Sequence, residues 1–87
     1  MQLINNHGVV VDKTLKAIAS AIDFDGPLQT EDGLLEIKRD NYKETYVVTY
    51  KPLSVDKETW TFDNIEEAYI KFRFLFGAYY QENLPSL

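Results

Sequence analysis

An α+β domain of order αβββα is the fold this chain predicts, with a three-stranded antiparallel sheet covered on one face by two helices. Three observations predict it. The segments Leu34–Arg39, Glu44–Lys51 and Glu58–Phe62 sort by parity into one apolar face and one polar face. A stripe of apolar residues recurs at helical spacing between Asp12 and Ile22. A second, broader helical stripe follows Phe62.

Side chains alternate between the two faces of a sheet along a strand. One parity holds Leu35 and Ile37, then Tyr46, Val48 and Tyr50, then Trp60 and Phe62. The other holds Glu36 and Lys38, then Thr45, Val47 and Thr49, then Thr59 and Thr61. A split of this kind belongs to an antiparallel sheet covered on one side only. Leu34 and Val47 are its exceptions. Lys51-Pro52 ends the second strand, because proline donates nothing to a ladder.

Before the sheet, Leu15, Ile18, Ala19 and Ile22 fall at i, i+3, i+4 and i+7, and Asp12 is the expected N-cap. Residues Asp23 to Gly33 read as a loop, with Gly26-Pro27 as a breaker and Asp32-Gly33 as a turn. The first eleven residues leave two readings open: a small hairpin around Asn5-Asn6-His7-Gly8, or an extended lead-in. After the sheet, Asp63 followed by Glu66 resembles a capping box. Ile65, Ala68, Tyr69, Phe72, Leu75, Phe76, Tyr79 and Tyr80 then share a face about 140° wide, the breadth of a core-facing helix. This helix is expected to end near Glu82, before Leu84-Pro85.

With 87 residues the chain is a single domain, with a tail from 83 to 87 that is expected to be flexible. A domain this small buries only about 60–65% of its unfolded surface. Its 14% aromatic content suits the dense core this demands. There is no cysteine, so disulfides and thiolate metal sites are excluded. The N-terminus has no basic region of the signal-peptide kind, and no apolar run has membrane-spanning length. A cytoplasmic location is the expectation.

The order helix, three strands, helix resembles that of the double-stranded RNA-binding domain, in topology alone. That family places a lysine-rich motif at the start of its last helix. Here the position reads Asp63-Asn64-Ile65-Glu66-Glu67, which repels phosphate. The net charge of −5 also lacks the basic surplus of nucleic-acid binding. Direct nucleic-acid binding is therefore not expected. Lys71 and Arg73 interleave with Phe72 and Phe74, a pattern that snorkelling over apolar surface explains.

No catalytic, cofactor or metal site is expected. His7 is the only histidine, and the glycines at 8, 26, 33 and 77 form no phosphate-binding motif. A calcium loop starting at Asp23 fails at Pro27, at Leu28 in the glycine position and at Leu34 in the bidentate position. Paired carboxylates such as Glu66/Glu67 have no desolvating context in the sequence.

Two features point to binding. Ile70, Phe74 and Ala78, with Gly77 beside them, form a second apolar stripe on the back of the last helix. Another part of the chain covers such a stripe, or a partner does. The leading expectation is thus a small non-enzymatic interaction module that binds another protein or itself as a homodimer. The alternative uses the acids Asp23, Asp25, Glu31, Asp32, Glu36, Asp63, Glu66 and Glu67 as one negative surface. In size and charge the chain is similar to the small acidic inhibitors by which phages occupy nucleic-acid-binding grooves of host nucleases.

Overall fold

The computed structural model describes residues 1–87. Two helices pack on one face of a six-stranded antiparallel sheet. The strands are β1 (Leu3–Ile4), β2 (Val10–Val11), β3 (Leu28–Thr30), β4 (Leu35–Asp40), β5 (Thr45–Tyr50) and β6 (Glu58–Phe62). The helices are α1 (Leu15–Asp25), between β2 and β3, and α2 (Ile65–Tyr80), after β6. The sheet order is β2-β1-β3-β4-β5-β6.

The α+β class and the sharing of one sheet face by both helices stand. The three-stranded sheet and the αβββα order do not, and the topological likeness to the RNA-binding domain goes with them. The three extra strands are short. β1 and β2 form a hairpin closed by Asn5, whose side-chain oxygen accepts from the N–H groups of His7 (2.9 Å) and Val9 (3.0 Å). Gly8 supplies the positive φ that this turn needs (+76°).

β3 lies inside the segment that reads as a loop. Leu28 and Thr30 are fully buried while Gln29 between them is exposed. Three residues are too few for such an alternation to stand out. Pro27 sits just before the strand, where a missing N–H costs no ladder bond.

The register confirms the parity split. Leu35 faces Tyr50, Ile37 faces Val48, and Val48 in turn faces Trp60. Leu28 joins the same face opposite Ile37, and Leu3 joins it opposite Thr30. α1 covers β2, β3 and β4, while α2 covers β4, β5 and β6. Leu3, Ile18, Leu28, Leu35, Ile37, Val48, Tyr69, Phe72 and Phe76 are completely buried between these layers. On the outer face no element covers the sheet, yet Val47 and Thr49 are buried. Their cross-strand neighbours are Lys38 and Glu36, whose long side chains shield them. Glu36 is held in turn by Lys51 at 3.5 Å.

Both helix starts lie later than expected. Thr14, not Asp12, caps α1, accepting from the Ala17 N–H at 3.2 Å. Asn64, not Asp63, caps α2, accepting from the Glu67 N–H at 2.9 Å. The i, i+3 spacing of the Asp63–Glu66 reading recurs one residue on, as Asn64 and Glu67. α1 continues three residues past Ile22 and stops where Gly26 takes a φ of +80°.

Candidate interaction surface

The two sides of α2 carry similar residues in different surroundings. Ala68, Tyr69, Phe72, Leu75 and Phe76 face the sheet and α1 and are buried. On the other side Ile70 is 46% exposed and Phe74 is 67% exposed. Ala78 is exposed and Gly77 half-buried next to them. The structure therefore brings all four stripe residues together at the surface.

Intramolecular cover is partial. After Gln81, which takes a left-handed conformation (φ +55°), residues 83–87 turn back along α2. Leu84 packs against the core. The Pro85 carbonyl lies 3.1 Å from the Tyr69 hydroxyl and 3.3 Å from a guanidinium nitrogen of Arg73. That same Tyr69 hydroxyl lies 2.6 Å from the Lys13 carbonyl, so one side chain ties the tail and the start of α1 to α2. Burial first, and Asp12 to a lesser degree, push the Tyr69 pKa up, against the opposing charge of Arg73. Glu82 receives the Met1 ammonium and the Lys13 ammonium (3.1 Å for the latter). Those bonds hold its carboxyl below its ordinary range.

The tail stops short of covering Phe74. Between it and the helix lies a groove of about 700 Å³ lined by Ile70, Arg73, Phe74, Gly77, Ala78 and tail residues. A second depression of about 400 Å³ lies on the far side of the same ridge, between Phe62, Glu67, Ile70, Lys71 and Phe74. Both open onto Ile70 and Phe74. Lys71 belongs to this wall, with its ammonium 4.3 Å from the Trp60 ring centroid and 5.4 Å from that of Phe74. Cation–π attraction therefore holds it over the edge of the sheet. Arg73 as a clamp on the tail has no signature in the sequence, because its partner is a backbone carbonyl.

The eight acidic candidates are divided. Leu35 and Glu58 both flank Tyr50, so the β3–β4 turn with Glu31 and Asp32 lies at the end of the sheet where β6 begins. Asp63, Glu66 and Glu67 follow the far end of β6, and Asp23 and Asp25 precede the far end of β3. Glu36 lies on the outer face. Asp23 is 4.0 Å from Arg39, and Glu36 is paired with Lys51.

Asp32 has a structural task. It accepts from the Thr30 hydroxyl (2.6 Å), the Leu34 N–H (3.1 Å) and the Tyr80 hydroxyl (2.8 Å). Burial pushes its carboxyl up, but these donors together outweigh that and hold it below its usual range. Tyr80 is pushed up to about 12, by burial first and then by the neighbouring carboxylate, against an opposing bond from Thr30. The cluster fastens the β3–β4 turn to the last turn of α2.

His7 lies in the β1–β2 turn, exposed. No three His, Asp or Glu side chains gather as metal ligands. No helix is long and apolar enough to cross a membrane. Comparison of the chain with protein-family models, with curated proteins and with solved structures finds no match.

Proposed function

We propose that this domain is a non-enzymatic protein-interaction module whose contact surface is the outer face of α2, centred on Ile70 and Phe74 with Gly77 and Ala78. One observation carries the reading: two large apolar side chains one helical turn apart are exposed between two grooves that both open onto them. Large exposed apolar side chains scattered singly are ordinary. Phe24, Tyr42 and Leu53 are of that kind, each in its own turn, loop or helix end. Ile70 and Phe74 differ because a rigid helix presents them together beside concave surface.

The nucleic-acid-mimic reading has less support. Its carboxylates are split between opposite ends of the sheet and its outer face, and Asp23, Asp32 and Glu36 are engaged within the molecule.

The test is Phe74→Glu. The variant is expected to keep its circular dichroism spectrum and its Tm and to lose association. Loss of the fold would place Phe74 in the core and end the proposal.

A further inference from the structure

We infer that the occupant of this surface is a second copy of the same chain, docked by antiparallel pairing of β6 with β6 of that copy. The inference rests on α2 as a contact face and adds the strand beside it.

β6 is an edge strand. Its only sheet neighbour is β5, and α2 is the one helix that packs on it. Exposed edges are usually blunted by proline, bulges, inward charges or extreme shortness. The opposite edge, β2, is two residues long and so meets the last condition. β6 has neither of the first two: its five residues pair one-to-one with β5 without a bulge, and it holds no proline. Its one inward charge is Glu58 at the first position, which a register with Trp60 opposite Trp60 sets opposite Phe62 of the second copy at the rim of the pairing.

The strand is self-complementary. Side-chain parity permits only even registers between two copies that present the same sheet face. Among these, the register with Trp60 opposite Trp60 is the one that pairs all five residues. It sets Thr59 opposite Thr61 of the second copy, a favourable cross-strand pair. Just beyond the strand it sets Lys57 opposite Asp63 of the second copy, and the twofold axis repeats that opposite-charge pair.

The same axis runs normal to the sheet, so both α2 helices lie on one side of a continuous twelve-stranded sheet. The depression lined by Phe62, Glu67, Ile70, Lys71 and Phe74 borders β6. It therefore faces its own counterpart across the axis. A standard interface buries about 800 Å² on each partner. Five paired residues span only about 17 Å. The flank of α2, about 24 Å long, extends the contact along its length.

The chain has no cysteine, which makes the register directly readable. Thr59 and Thr61 are exposed on the outer face, so Thr59→Cys and Thr61→Cys leave the core untouched. Facing residues of an antiparallel pair have Cα atoms about 4.5–5.5 Å apart, within disulfide range. Mixing the two single variants under oxidised glutathione should give the mixed Thr59→Cys/Thr61→Cys disulfide dimer as the main product. A statistical mixture of the three disulfide species, or no dimer, would overturn the pairing. Phe74→Glu, measured in parallel by light scattering, separates the two levels. A dimer that this change breaks, without the mixed disulfide, overturns the strand register and keeps the α2 surface. A mixed disulfide that forms equally well with Phe74→Glu in both chains keeps the register and overturns the α2 contact.

Discussion

The inner and outer faces of α2 use nearly the same chemistry and meet opposite fates. Tyr69, Phe72 and Phe76 on one side are completely buried, while Ile70 and Phe74 on the other stand in solvent. The difference lies in supply: one sheet and one short helix provide apolar surface for a single side of α2, and the tail covers only part of the other. Aromatic content alone therefore does not tell core from exposed surface.

The contrast breaks most visibly on the inner face. Phe72→Ala should cost about 3–5 kcal/mol in urea unfolding, the range for deleting a buried aromatic ring. A cost under 1 kcal/mol would mean that the inner face is not the core. Tyr69→Phe tests the seam between the faces. It keeps the ring and removes the hydroxyl beside Lys13 O and Pro85 O, so a loss of about 1–2 kcal/mol is expected.

Gly77→Ala sharpens the outer face. An added Cβ meets only Glu82 O at 3.5 Å, an ordinary contact, and Gly77 lies within a helix. The change should stabilise the fold by about 0.5–1 kcal/mol. Its methyl group stands in the groove, so association should weaken while Tm rises. Phe74→Glu should shift stability by no more than about 0.5 kcal/mol, as for other surface substitutions.

The Asp32–Tyr80 clamp holds the C-terminal end of α2 and gives the fold two pH limits. The Asp32 pKa is depressed in the folded protein. Its contribution is therefore present above the unfolded carboxyl pKa, near 4, and is lost as pH falls through the folded value. The Tyr80 pKa is raised to about 12, so its contribution is present below the unfolded value near 10 and is lost as pH climbs toward 12. Tyr80→Phe should shrink the alkaline component of a plot of stability against pH to the part that Tyr69 supplies, and weaken the acid one, because Asp32 keeps only the Thr30 and Leu34 donors.

The half of the molecule built from β4, β5, β6 and α2 is legible in the sequence, because its strands are five or six residues long and alternate cleanly. The half built from β1, β2 and β3 is not. Those strands hold two or three residues each, and their pairing depends on contacts far apart in the chain, such as Leu3 with Thr30. The cap positions are misread for a related reason: Asp63 and Asn64 both suit an N-cap, and only backbone geometry selects Asn64. The candidate surface is legible as a stripe. Its grooves are not, because the tail that walls one of them is placed by Tyr69 and Arg73 through a backbone carbonyl.

That two copies of the chain meet through the outer face of α2, and that this face is not a second core, has one direct measurement. Molar mass by light scattering, taken on the wild type and Phe74→Glu at equal concentration, reads it. The expected result is about twice the 10.1 kDa chain mass for the wild type and a folded monomer for the variant. Equal masses for the two, or a variant that has lost its fold, would contradict it.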